Sequence, residues 1–400
     1  MYSPNASGHF FEISTQSTLF FINFSILDKI IYICFVKLTL KIKLLPSESQ
    51  KRMLLDTIRT ANSACDMVSE VAWDKKVFGQ FKLHSLCYYP VKEAYPLSSQ
   101  MIVRCISKVA DAYKLNRKTK RVFRPLGSIS YDSRILSYNL VKGQVSIWTI
   151  GGRQKIDFTC HNPDYLSYIQ GEADLCCIKG KFYLLQTIEV PSEKEVDAEE
   201  FIGADMGITD ICCLSSGEKF SSKNLNAYKI KQQKIRSSLQ SKCTKNARRV
   251  LKRLSGKERR TQTVINHTIS KQIVELVKQN NKGVALEDLT GIGKSLDKFS
   301  KKQRGLYKGW AFRQLRDFIT YKSQLQGVKV VVVDPRYTSK TCHVCNCIGN
   351  RSSKIFKCET CGVFDADINA AINISKVGVA INQPENSTLF CALGLKTPSL

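Results

Sequence analysis

From Val36 the chain alternates. Val36, Leu38, Leu40, Ile42 and Leu44 interleave with Lys37, Thr39, Lys41 and Lys43, which predicts a strand with one apolar and one cationic face. Ser47 and Gln50 then stand at capping-box spacing, and Leu54, Ile58, Ala61, Cys65, Val68 and Ala72 recur at steps of 4, 3, 4, 3 and 4. That is the single apolar stripe of a helix. A second helix is predicted over residues 99–113, with Ile102, Ile106, Val109 and Tyr113 inward, and the pair reads as a small helical subdomain. A connector follows at 114–124, holding six cations and no acid. Residues 127–190 turn to β character: a strand at 145–150, then 175–178 and 182–190 flanking the hairpin signal Lys179-Gly180-Lys181. Short strands at this spacing suggest a small barrel or meander.

Beyond a linker at 191–195 the texture changes. An apolar run at 201–205 meets a carboxylate, Asp205, and a second strand is expected at 211–214. Residues 229–260 read as one long basic helix, with thirteen Lys or Arg against the single acid Glu258. Ile265, Ile269, Ile273 and Leu276 continue as an apolar stripe, and a strand at 284–287 ends on Glu287. A helix is predicted at 310–325, with Phe312, Leu315, Phe318 and Ile319 inward. Residues 328–333, all valine except Lys329, have the pattern of a strand buried on both faces. A short amphipathic helix is expected over 365–374. Strands alternating with helices predict an α/β core for this half.

Charge narrows the class of partner. The 400 residues carry 61 Lys and Arg against 34 Asp and Glu, a formal net charge of +27. That excess favours a polyanion, nucleic acid first, and says nothing about fold. At 43% hydrophobic and 24% charged the chain is expected to be globular, not disordered. The apolar stretch at 19–36 is interrupted by Asp28 and Lys29, which makes it a poor membrane span. With no basic n-region and no cleavage site, the protein is expected to be soluble and cytoplasmic. Residues 1–35 are expected to be an appendage, with Val36 as the true initiator. An intact mass beginning at Met1 would refute that.

Sixteen cysteines could signal disulfides, yet five of them crowd into residues 342–361. Cys342-x2-Cys345 and Cys358-x2-Cys361 supply four thiolates for one tetrahedral Zn²⁺, a closed and therefore structural site. Cys347 and His343 are spare. The pairs Cys176–Cys177 and Cys212–Cys213 read as strand fillers in a reducing cell. Three carboxylates, Asp205, Glu287 and Asp367, each fall at an element boundary. Gathered together, such groups can hold two Mg²⁺ for in-line phosphodiester hydrolysis. By spacing alone the trio is weak, because acids at element ends often only cap helices.

Gly203-Ala204-Asp205-Met206-Gly207-Ile208, Leu286-Glu287-Asp288-Leu289-Thr290-Gly291-Ile292, and Thr338-Ser339-Lys340-Thr341-Cys342 running through the second knuckle into Asp367-Ile368-Asn369-Ala370-Ala371-Ile372-Asn373-Ile374 together resemble the TnpB (OrfB) family. These are transposon-encoded proteins related to the type V CRISPR effector nucleases. Asn246-Ala247-Arg248-Arg249, Asn266-His267, Tyr321-Lys322 and the strand at 37–44 also match, so the resemblance covers residues 36–374.

The resemblance implies a multi-domain α+β fold. Residues 36–46 and 116–192 would form a wedge β-barrel with a helical recognition insertion at 47–115. Residues 199–337 and 363–376 would form an α/β, RNase H-like (RuvC) nuclease core, interrupted by a zinc ribbon at 338–362. Residues 377–400 would be a flexible tail. The activity implied is guide-RNA-directed, Mg²⁺-dependent cleavage of DNA beside a short adjacent motif. Asp205, Glu287 and Asp367 fall on the catalytic, magnesium-binding positions, and Cys342, Cys345, Cys358 and Cys361 on the zinc ligands. Asp365 and Asp288 are near but do not match. The implied partners are a guide RNA from the transposon end and target double-stranded DNA. No membrane partner is expected, and the sequence leaves the oligomeric state open, with a monomer as the expectation. Asn346 departs from the glycine that often follows the first knuckle, and residues 1–35 have no counterpart.

A nuclease-silent, RNA-guided repressor or transposition accessory factor is the alternative, and the intact Asp/Glu/Asp set favours cutting. The transposase label often attached to this family is set aside. The five histidines (His9, His84, His161, His267 and His343) contain no His-x-His metal pair. Residues 229–260 are expected to contact the guide–target backbone, residues 294–308 to form a mobile loop over the site, and Trp148 and Trp310 to be core.

Overall fold

A computed structural model describes residues 34–207, 209–289 and 312–382. The expectations for residues 1–33, for the gating loop at 294–308, for Trp310 and for residues 383–400 lie outside the described residues. The chain divides into two compact units, one spanning Lys37–Val190 and the other running from Pro191 onward.

In the first unit β1 (Phe35–Leu44) buries Val36, Leu40, Ile42 and Leu44. It lies in a seven-stranded sheet with β2 (Ile129–Tyr131), β3 (Leu136–Asn139), β4 (Gln144–Thr149), β5 (Gly152–Cys160), β6 (Ile169–Ile178) and β7 (Lys181–Pro191). The order is β2-β6-β7-β1-β5-β4-β3, a nearly closed, barrel-like sheet. Lys179 and Gly180 both take positive φ, 52° and 75°, as a two-residue hairpin turn requires. Trp148 differs from expectation. It is half-buried, on the opposite side of β4 from the buried Val145, Ile147 and Thr149.

Three helices fill the stretch between β1 and β2. α1 (Glu48–Asp74) opens on the expected capping box, with Ser47 N–H donating to Gln50 Oε1 at 2.9 Å and Gln50 N–H to Ser47 Oγ at 3.3 Å. Every residue of its predicted stripe is buried. α3 (Ser99–Leu115) was expected, but α2 (Gln80–Ala94) was not. Pro90 lies inside α2, and only Leu83, Cys87 and Val91 are buried, a stripe too narrow to announce itself.

The second unit holds a five-stranded sheet of β8 (Phe201–Asp205), β9 (Asp210–Leu214), β10 (Lys219–Ser221), β11 (Gly283–Glu287) and β12 (Val330–Val333), in the order β10-β9-β8-β11-β12. The first three strands form an antiparallel meander, while β11 runs parallel to β8 and β12 parallel to β11. One face packs Ile202, Ala204, Ile211 and Leu214 against α6 (Lys257–Gln279) and α7 (Phe312–Leu325). The other face packs Phe201, Ala285 and Val333 against Ile374 of α8 (Ala366–Asn382). Between β12 and α8 sits a small antiparallel sheet of β13 (Asn350–Ser352), β14 (Ile355–Cys358) and β15 (Gly362–Asp365).

Three expectations are corrected here. The long helix at 229–260 is three helices: α4 (Lys223–Ser241), α5 (Lys245–Leu254) and the start of α6. The breaks fall at Cys243 and Gly256, both with positive φ, and Thr244 caps α5. β12 is not buried on both faces: Val331 and Val333 are buried, while Val330 is half-buried and Val332 exposed, on a strand at the edge of the sheet. Finally, α8 runs on to Asn382 with Ala380 buried, past the boundary at 376.

Glycine decides how closely α8 lies on the sheet. A β-carbon on Gly203 would come within 2.0 Å of the Ala371 carbonyl oxygen and 2.5 Å of the Ser375 nitrogen. Gly203→Ala is therefore expected to destabilise the second unit by about 3 kcal/mol, since backbone cannot move aside as a flexible side chain can. Denaturant unfolding of the variant tests this, and an unchanged midpoint would contradict the packing. Among the described residues no helix is long and apolar enough to cross a membrane.

Candidate active site and cysteine cluster

The topology brings the three expected carboxylates to one end of the sheet. In the β8–β11 register Ala204 pairs with Leu286, so Asp205 and Glu287 emerge side by side where the two strands end. α8 touches β8 at Gly203 through Ala371. One helical turn back from Ala371 is Asp367, and two residues on from Gly203 is Asp205. The two lie at the same edge, near enough that the charge of Asp367 acts on Asp205.

Burial and mutual charge govern the site. Glu287 is buried and accepts a hydrogen bond from Thr338 Oγ1 at 2.7 Å. Burial raises the Glu287 carboxyl above its ordinary value, against the opposing pull of that bond and of Arg351. Burial also raises Asp205, to about 7, and the charges of Glu287 and Asp367 push it the same way. Excess negative charge on desolvated oxygen donors is the chemistry a hard divalent cation satisfies. In this structure the nearest compensation comes from side chains. Arg351 Nη2 donates to Asp367 Oδ1 at 2.6 Å, and Lys354 Nζ lies 3.8 Å from Asp367 Oδ2 while also pairing with Asp210.

The neighbouring acids have other work. Asp365 accepts from the backbone N–H groups of Asp367 and Ile368, at 3.1 and 3.0 Å, and caps α8. Burial disfavours its charge, but the Lys219 hydrogen bond and those two N–H groups keep it below the usual carboxylate range. Asp288 pairs with Arg316 at 2.8 Å. Sequence reasoning missed Arg351, Lys354, Lys219 and Asp210, and it quoted Thr338 only as part of the family motif, with no role. The first four have no local signature, because their meaning comes from which carboxylate the fold sets against them.

The four expected cysteines converge. The Sγ atoms of Cys342, Cys345, Cys358 and Cys361 all lie within 4.8 Å of one another, and no other such group of His, Cys, Asp or Glu occurs among the described residues. Each knuckle turns through a left-handed residue after its second cysteine, Asn346 at φ 61° and Gly362 at φ 95°. Asn tolerates that region, which explains how it stands in for glycine. Cys347 is exposed and outside the cluster. His343 is also outside it, with its Nδ1 2.9 Å from Asn369 Oδ1. Backbone N–H groups of Cys361 and Thr360 hold the Cys358 thiol down, to about 7, while the neighbouring Cys345 and burial push Cys361 up to about 12. A set of thiols that resists joint ionisation unless a cation joins it fits a metal ion, and four sulfurs fit Zn²⁺.

The cluster and the carboxylates are physically coupled. Asn369 donates to the Thr341 carbonyl at 2.8 Å, and Asn373 to the carbonyls of Thr338 and Thr341 at 2.8 and 2.7 Å. These asparagines, one turn apart on α8, hold the base of the cysteine segment against the helix that carries Asp367.

A family model described as Cas12f1-like, TNB domain, matches residues 312–374. The TnpB-like protein MJ0751 of Methanocaldococcus jannaschii is 32% identical over 188 residues, 43% of this chain and 67% of that protein. The CRISPR-associated endodeoxyribonuclease Cas12f2 of a Micrarchaeota archaeon is 27% identical over 315 residues, 66% of this chain and 56% of its own length. The endodeoxyribonuclease Cas12f1 of Sulfoacidibacillus thermotolerans is 24% identical over 365 residues, 78% of this chain and 84% of that protein. In fold, a Cas12f1–sgRNA–target DNA complex matches with a TM-score of 0.57 at 14% identity, covering 85% of this chain and 99% of that one. By its sequence relatives and its fold, the chain belongs to the TnpB family and is related to the type V CRISPR effectors.

Proposed function

We propose that this protein is an RNA-guided, Mg²⁺-dependent DNA endonuclease of an insertion-sequence element, with a RuvC-like nuclease core. The observation that carries the reading is the placement of Asp205, Glu287 and Asp367 at one end of the sheet, where burial raises Asp205 and Glu287 and the other two charges raise Asp205 further. A meander of three antiparallel strands followed by two parallel ones, with acids at the strand ends, supports an RNase H-like core. In this reading residues 36–46 and 116–192 are the wedge barrel, 47–115 the recognition helices, 199–337 and 363–376 the core, and 338–362 the zinc ribbon.

Asp205, Glu287 and Asp367 would hold the magnesium, which when bound lowers the pKa of the attacking water and offsets charge on the leaving 3′ oxygen. The chain's own residues do the positioning. Thr338 fixes the rotamer of Glu287. Arg351 reaches the site from β13 and is placed to meet the charge of a phosphodiester. On α5 the cations Lys245, Arg248, Arg249, Lys252 and Arg253 are exposed with no acid among them, a surface suited to a nucleic-acid backbone. The decisive experiment incubates the protein with its co-purifying RNA, matched DNA and Mg²⁺. Cleavage beside a fixed short motif is expected, and absence of product with any adjacent sequence favours a silent, DNA-occupying repressor.

The raised pKa of Asp205 has a consequence for stability. In the unfolded chain this carboxyl ionises near its ordinary value of 3.8, and in the fold near 7. Between those values the folded chain keeps a proton that the unfolded chain has lost, so stability falls as pH rises through the interval and the full penalty applies above it. Asp205→Asn should raise Tm at pH 8 in buffer without added divalent ions, and change it little at pH 4. Equal shifts at both pH values would contradict the assignment.

A further inference from the structure

The turn after β12 holds a residue whose backbone and exposure nothing in the packing requires. Tyr337 has φ 64°, a left-handed conformation that glycine or asparagine adopts more readily than a bulky aromatic. Its carbonyl accepts three hydrogen bonds, from Lys340 N–H at 2.9 Å, Thr341 N–H at 3.0 Å and Thr341 Oγ1 at 2.9 Å. Those bonds hold the conformation in place. More than half of the residue stays in solvent, 58% exposed, so burial is not what holds it there. The next residue, Thr338, is buried and donates to Glu287 at 2.7 Å. An exposed aromatic residue thus stands on a turn whose backbone is held by hydrogen bonds, one residue from a group that touches the proposed cutting site. Arg336, locally paired with Asp334 at 3.5 Å, and Lys340 flank it and are exposed.

We propose that Tyr337 is a positioning residue, a platform on which a base of the single DNA strand entering the carboxylate site stacks. The proposal rests on the nuclease reading above. A lone exposed aromatic is ordinary on any surface. What singles this one out is a ring held at backbone cost, tethered to Glu287 through Thr338, with cations on both sides. Ring plus cations is the composition that binds single strands, because every base offers a π-face and every phosphate a charge. The ring would set the register of the strand, so that one phosphate and not its neighbour lies at Asp205, Glu287 and Asp367.

The test uses the full-length chain carrying Glu287→Gln, with its co-purifying RNA, titrated onto single-stranded deoxyoligonucleotides bearing 2-aminopurine at successive positions. Quenching is expected at one or two adjacent positions, retained by Tyr337→Phe and lost in Tyr337→Gly and Tyr337→Asn. Both of the latter accept the left-handed region, so their Tm should not fall. In the cutting protein the same two changes should lower kcat/KM roughly 5- to 150-fold, with Tyr337→Phe restoring it. Ring-less variants that still quench overturn the proposal, and so does a parent protein with no quenched position. Ring-dependent quenching in a protein that never cuts supports the platform and sinks the nuclease reading, so the two failures are distinguishable.

Discussion

Glu287→Gln is expected to abolish DNA cleavage, by at least about 10³-fold, while guide RNA binding stays within about twofold of the parent. The substitution keeps shape, and the amide oxygen can still accept the hydrogen bond from Thr338 Oγ1 that now measures 2.7 Å. What it removes is a negative charge from a buried site, the charge that in the proposed mechanism holds a divalent ion. It should also lower the pKa of Asp205, because the charge of Glu287 is one of the causes that raise it. Stability should therefore hold or rise in buffer without added divalent ions. Retained cutting would refute the assignment of Glu287. Loss of cutting together with a fall in Tm would show only that the fold was damaged, and Asp367→Asn then serves as the second test.

Cys358→Ser should strip the zinc and, with it, the cutting activity, although no carboxylate is touched. Cys358 closes β14, whose partner β13 carries Arg351. Strand β13 and the turn after it deliver Arg351 and Lys354, respectively, to Asp367. Structural zinc sites contribute on the order of 10 kcal/mol to folding of the segment they close. Without the metal the hairpin loses its main source of order, the small core of Phe356, Cys342 and Ala366 being slight. Elemental analysis should find about one zinc per parent chain and almost none in the variant. Unchanged zinc content would count against the cluster. Zinc loss with full cleavage would show that Arg351 and Lys354 are dispensable.

The legible and illegible parts of this protein divide along a physical line. Strand β1 and helix α1 could be read directly, because each buries one face and the burial writes its period into the chain. The same logic failed for α2, with three buried positions and an internal proline. It failed again for residues 229–260, where a helix-forming composition hid two turns that one left-handed residue each was enough to make. β12 looked central because it is all valine, yet position in a sheet is a property of its neighbours and not of the strand. The cysteine knuckles were the clearest of all, since two short ligand spacings are local facts. The carboxylates were visible only as acids at element ends, and it was resemblance to a family that picked them out.

The sequence alone determined the elements whose signal is local: the alternating strand, the striped helices, the capping box and the four thiolates. Tertiary structure decided what those elements are for. Gly203 is one more glycine in the chain until α8 lies against it, and that contact brings Asp367 to Asp205. Arg351 and Lys354 carry no pattern, because an ion pair across the fold joins positions whose separation in the chain is arbitrary. Period and spacing act over a few residues and can be read along the chain. Charge and contact act through space, and only the fold sets which residues share it.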